Sequence, residues 1–329
     1  MPKQTEPTTR PIKIAFLLFD RFSNLCLANC LEPMRAANTF APHPAYRWRF
    51  LTPDGAPVRS SSGLTVSPDC SVAGMTPVDR LFIVASYDHL AHDTPATRRL
   101  LARAAGQSQL VAGLDAGAWL MASAGLLHGR QATIHWDLLD AFSERFLQVN
   151  VIRAPHLRDG DRLTCAGAMA AFDMTHNMIR TDLGPAIALD VEGLFLTDRP
   201  TLQPAPKRGD ALVRRALDMM RTELETPLTL GVLARRVGTT PRTLTRRCQA
   251  ALGLTPGVLY RHIRLSAARQ MVEGSSSSIA EIALRCGYED PAALTRAFRL
   301  RFGCAPRQMR LRSAATAPQI RTENATDRM

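Results

Sequence analysis

The chain has 329 residues, 46% of them hydrophobic, which is enough for two domains with separate cores. It has no run of about 18 apolar residues, and its first residues, MPKQTEPTTRP, lack the apolar stretch of a secretory signal, so no membrane-spanning helix is expected and a cytoplasmic protein is. Seven cysteines without a CxxC pair argue against a disulfide framework and a structural zinc site, leaving reduced buried thiols, and a formal net charge of +12 calls for an anionic partner.

Residues 1–11, polar with three prolines, are expected to form a disordered tail. Ile12–Phe19 (IKIAFLLF), Leu81–Ala85 (LFIVA) and Leu110–Leu114 (LVAGL) are continuous apolar runs, as in strands buried on both faces. Helical stretches lie between and after them: Leu25–Phe40, Thr94–Ala105, Gly117–Leu127, Asp137–Phe146, Ala168–Ile179 and Pro185–Phe195. Such alternation predicts a parallel α/β sheet domain over residues 12–198. Ligands bind such sheets at the carboxyl ends of the strands, so the tight turn Asp115-Ala116-Gly117 after LVAGL is the place to look. Residues 199–208 (RPTLQPAPKR) have the proline content of a stiff linker.

An all-α domain is predicted over 209–312, led by a helix at Leu212–Glu225 and followed by a disordered tail, 313–329. One helix-turn-helix pattern occurs in it twice. Leu230, Leu233, Ala234 and Val237, and again Ile279, Ile282, Ala283 and Cys286, repeat at i, i+3, i+4 and i+7. Gly238 and Gly287 break these helices, and Thr240-Pro241 and Asp290-Pro291 open the next ones. In the second helices Leu244 and Leu252, and Leu294, Phe298 and Phe302, face inward. Arg242, Thr245 and Arg246 in one copy, and Thr295, Arg296 and Arg299 in the other, then face out. Such a surface suits a DNA major groove: Arg pairs bidentately with guanine, and Thr hydrogen-bonds or touches a thymine methyl. Pro256–Glu273 reads as one long helix joining the units. From Gly209 to Met329 there are 20 Arg and no Lys against 10 acidic residues, +10, leaving only +2 for residues 1–208. The excess therefore sits where a phosphate backbone would bind.

LARRVGTTPRTLTR and IALRCGYEDPAALTRAFRLRFGCAPRQMR closely resemble the two signatures of the AraC/XylS family of bacterial transcription regulators. The resemblance implies that Arg242, Thr245 and Arg246, then Ala292, Thr295 and Arg296, occupy base-reading places. Cys248 stands where the family usually has Phe, and Ala292 is too short to hydrogen-bond a base, so the second unit is expected to contribute mostly phosphate contacts. The segments GLDAGAWLMASAGLLHGRQATIHW and EPMRAAN resemble the class I glutamine amidotransferase-like superfamily, whose PfpI-like, flavodoxin-like domains precede AraC-type domains. Enzymatic members carry a cysteine at the turn and a histidine some twenty residues on. Here the turn holds Asp115, and His135 keeps the histidine place.

A carboxylate of ordinary pKa, about 3.9, cannot replace a thiolate in amide hydrolysis, which implies a sensor and no catalytic residues; a hydrolase or deglycase-type enzyme with added DNA binding is the alternative. No cofactor or metal is expected. Asp115, Trp119, His135, Trp136 and Glu32 are the candidate ligand residues, a carboxylate among π faces that favours a cation. LD-x-GA[WF] turns resemble those of regulators that respond to amino acids or carnitine- and betaine-like amines. Other readings stand beside these: Asp115 as an N-cap, and the two tryptophans and His135 as core. The resemblance further implies a homodimeric activator that works with RNA polymerase on promoter DNA at the nucleoid.

Overall fold

A computed structural model describes residues 10–195 and 210–316, with side chains described as far as residue 311. The chain divides into two compact units, Met1–Thr197 and Asp198–Met329. The predicted linker, 199–208, lies outside the described residues, as does most of both predicted tails.

In chain order the first unit has β1 (Ile12–Leu18), α1 (Asn24–Phe40), β2 (Tyr46–Thr52), β3 (Val58–Arg59), β4 (Thr65–Val66), β5 (Cys70–Ser71) and β6 (Val78–Ala85). There follow α2 (His89–His92), α3 (Pro95–Gly106), β7 (Ser108–Asp115), α4 (Gly117–Ser123), β8 (Gln131–Ala132), α5 (Leu139–Arg145), β9 (Asn150–Val151), β10 (His156–Asp159) and β11 (Arg162–Cys165). Helices α6 (Ala168–Leu183) and α7 (Pro185–Phe195) close it.

The main sheet runs β10-β11-β7-β6-β1-β2-β5. Its strands pair in parallel except at the β10–β11 edge. Alternate residues of each central strand feed opposite cores. Phe16, Leu18, Phe82 and Val84 pack toward α1, α6 and α7, and Ala15, Leu17, Leu81 and Ile83 toward α3, α4 and α5. Both faces are therefore covered, which is why these strands read as unbroken apolar runs. Strand β2 (YRWRFLT) was not predicted: it alternates, its arginines exposed, and looks like surface until the parallel pairing with β1 is known.

The second unit has α8 (Ala211–Thr222), α9 (Leu230–Arg236), α10 (Pro241–Leu252), α11 (Pro256–Gly274), α12 (Ile279–Arg285), α13 (Pro291–Phe302) and α14 (Pro306–Thr316). Helix α14 runs through 313–316, which corrects the expectation of a disordered tail from residue 313. The α9–α10 turn has four residues, 237–240, and the α12–α13 turn has five, 286–290. Within this unit α11, about 28 Å long at ~1.5 Å per residue, joins the two helix-turn-helix motifs. Its Arg264 guanidinium donates to the Cys286 and Gly287 carbonyls at 2.6 and 2.5 Å and lies 4.2 Å from the centre of the Tyr288 ring. On the other side the Tyr260 hydroxyl donates to the Glu223 carbonyl at 2.5 Å. One helix thus ties the α8–α9 connection to the turn of the second motif.

Candidate functional site: a carboxylate at the sheet edge and two arginine-bearing helices

Strand β7 ends on Asp115, whose backbone takes a left-handed φ of 58°. This conformation is costly for a residue with a Cβ and is typical of turns that hold a reactive side chain above an α/β sheet. The small residues around it make the turn possible. A Cβ on Gly113 would lie 2.6 Å from the Met121 sulfur, and one on Gly117 would collide with the Ile83 carbonyl, so α4 packs directly on the strands.

Neighbouring elements meet at the Asp115 carboxylate. The Ser86 hydroxyl, just after β6, lies near enough to favour its charged form and accepts the Ser23 N–H at 2.9 Å. The Ala116 N–H donates to the Ala85 carbonyl at 2.9 Å, fixing the turn to the end of β6, and its position favours the charged carboxylate. His135 and His89 stand near enough to favour its charged form. Burial outweighs these contacts and pushes the Asp115 carboxyl above the ordinary carboxylate range. His89 is 9% exposed, burial pulls its pKa down, and among the described residues its Nε2 has no hydrogen-bond partner. The His135 ring lies against Gly167, where a Cβ would come within 3.3 Å, and its Nδ1 is 3.4 Å from the Asp137 N–H.

Three buried cysteines lie near this turn although none is close in sequence. Cys26 and Cys30 of α1 and Cys165 of β11 influence one another electrostatically, and Asp115 acts on Cys26 and Cys165. Burial pushes all three thiols up, Cys30 to about 12, so none supplies a thiolate.

Several sequence expectations need correction. Trp119 is largely buried: its indole packs edge-on against His89 and against Phe142 and Phe146, and donates Nε1–H to Asp93 at 3.2 Å. Glu32 pairs with Arg35 at 2.7 Å on the exposed side of α1, which continues through Pro33. Ala116, not Asp115, is the N-cap of α4. Trp136 is 65% exposed, so it is not core, and its ring lies 5.3 Å from that of His135. Ser86 and His89 were missed because they come from a different strand end and only the β6–β7 pairing brings them to Asp115.

In the second unit Leu244 and Cys248, and Leu294, Phe298 and Phe302, are buried, while Arg242, Arg246, Ala292, Arg296 and Arg299 are exposed. Cys248, in the place where Phe is usual, is fully packed. Thr245 and Thr295 are half-buried, and each donates its hydroxyl to the carbonyl four residues back, Pro241 or Pro291, at 2.9 Å. Arg296 reaches within 3.9 Å of Asp290 but remains mostly exposed.

Residues 12–181 match the DJ-1/PfpI family, and residues 233–312 match a helix-turn-helix domain. The HTH-type transcriptional regulator CdhR of Pseudomonas aeruginosa is 35% identical over 312 residues, covering 92% of this chain and 93% of that protein. The HTH-type transcriptional regulator GlxA of Rhizobium meliloti is 35% identical over 314 residues, covering 92% and 97%. The crystal structure of an AraC family transcriptional regulator from Pseudomonas putida covers 56% of this chain and 100% of its own, with TM-score 0.50 and 26% identity. Two arginine-bearing helix-turn-helix units behind a DJ-1/PfpI sheet domain, in an arrangement spanned almost end to end by such relatives, place the chain in the AraC/XylS family of DNA-binding transcriptional regulators.

Proposed function

We propose that the sheet domain is a non-catalytic sensor whose Asp115 site takes a small nitrogenous metabolite, an amino acid or amine, and that occupancy alters how the helix-turn-helix units engage promoter DNA. One observation carries the reading. A half-buried carboxylate, raised above its ordinary pKa by partial loss of solvent, stands on a strained turn at the carboxyl end of β7, where a cation would favour its charged form. His135 and Trp136 complete the site on one side, with the exposed indole available to a cationic group. Ser86 and His89 stand on the other. Catalysis is disfavoured: Asp115 lacks the chemistry of a thiolate, and Cys26, Cys30 and Cys165 are held as thiols.

Arg242, Thr245 and Arg246 are the proposed base readers of the first helix-turn-helix motif, and Ala292, Thr295, Arg296 and Arg299 the DNA-facing residues of the second motif. Family resemblance supports a homodimeric activator acting with RNA polymerase at the nucleoid. Among the described residues no helix is long and apolar enough to cross a membrane.

A thermal-shift screen of the full chain against amines and amino acids tests the sensor. At ~100-fold excess over Kd a true effector raises Tm by roughly 5–10 °C. Asp115→Asn removes the shift and leaves DNA binding without effector unchanged. A full shift in that variant would refute the carboxylate site.

A further inference from the structure

The two recognition helices share a feature that their sequence leaves open. A threonine in a major groove can offer its hydroxyl to a base edge or its methyl to the C5-methyl of thymine. In both helices the hydroxyl's one proton is already donated within the helix, so it is not free to donate to a base. Thr245 donates to Pro241 and Thr295 to Pro291, each at 2.9 Å, at equivalent places in α10 and α13. The rotamer that turns Oγ1 back onto the helix leaves Cγ2 as the group facing away from it.

The second unit extends this apolar character. Ala292, one turn before Thr295, is exposed and carries only a methyl. Both residues line a cleft of about 460 Å³ whose walls include Ile279, Ala280 and Pro291. Ser278 and Arg307 at the same cleft supply polar and cationic groups suited to the adjoining phosphate.

Resting on the assignment of α10 and α13 as the groove-entering helices, we infer that Thr245 and Thr295 are specificity residues that read thymine through methyl–methyl contact, with Ala292 adding a second contact in the second unit. The first unit then selects thymine next to guanines paired with Arg242 and Arg246. The second selects thymine mainly by its methyl surface and is not confined to phosphate contacts.

Selection of a randomised duplex pool by the full-length protein supplies the probe. Enriched duplexes are expected to hold thymine opposite each threonine. Replacing either thymine by deoxyuridine, which removes only the C5-methyl, should weaken binding about fourfold, the effect of one buried methyl. Thr245→Val and Thr295→Val keep the methyl and should retain both affinity and the thymine preference. Thr245→Ser and Thr295→Ser should lose about fourfold on thymine and nothing further on deoxyuridine, so the deoxyuridine duplex also controls for folding. Equal binding of thymine and deoxyuridine, or loss of the preference in the Val variants but not the Ser variants, would overturn the inference alone. A pool from which no sequence is enriched would overturn it together with the base-reading assignment.

Discussion

At the residue scale, the most telling titratable group of the DNA-binding unit is His262 on α11. Burial, with the positive charges of Arg301 and Arg261 beside it, pulls its pKa from 6.5 down to about 4, and among the described residues its Nδ1 has no hydrogen-bond partner. The unfolded chain therefore takes up this proton first on acidification. The contribution of His262 to stability is complete above pH 6.5 and is lost as pH falls toward 4. Melting curves of the full chain should show Tm falling across that window, with a shallower fall for His262→Leu; parallel profiles would exclude the assignment. Nothing in a lone histidine on a helix reveals this, because the two arginines reach it only after folding. The same limit applies at Asp115. Its turn was legible from small residues after an apolar run, but the phase of α4, which buries Trp119, and the approach of His89 depend on tertiary packing.

At the element scale, the two helix-turn-helix turns provide an internal comparison. Gly238 and Gly287 both have left-handed φ, 76° and 68°. A Cβ on Gly238 would meet nothing within 4 Å, whereas one on Gly287 would lie 2.5 Å from the Leu224 carbonyl oxygen and from the Pro227 ring. Gly238→Ala should therefore cost only the backbone term, about 1–2 kcal/mol. Gly287→Ala should cost roughly 1–3 kcal/mol more, because the second turn must move away from the segment leading into the first unit. Urea unfolding of both variants measures the difference; equal losses would mean that the turn moves freely. Both glycines could be assigned as helix breakers from sequence, since the apolar quadruplets stop just before them. The contact at Gly287 could not, because residues 224–227 have no periodic signal pointing to it. Similarly, the runs forming β1, β6 and β7 were plain because both faces are buried, while β2 was hidden by its exposed arginines.

At the scale of the whole molecule, charge is divided unevenly, with +10 on residues 209–329 and +2 on the remainder. If the arginine-rich unit neutralises six or more phosphates, DNA affinity should fall roughly 10³-fold or more between about 50 and 200 mM salt. Fluorescence anisotropy of the full chain on a fixed duplex measures the slope; a nearly flat dependence would remove the phosphate footprint. Such a footprint is legible from composition alone, since it requires only that basic residues outnumber acidic ones over one stretch. The two turns add something that composition does not. Because one has four residues and the other five, the paired prongs are not copies of each other. A grip with unlike ends has a heading. The bound chain faces one way along the duplex, and a site reversed in place would present its opposite flank to whatever is bound next door.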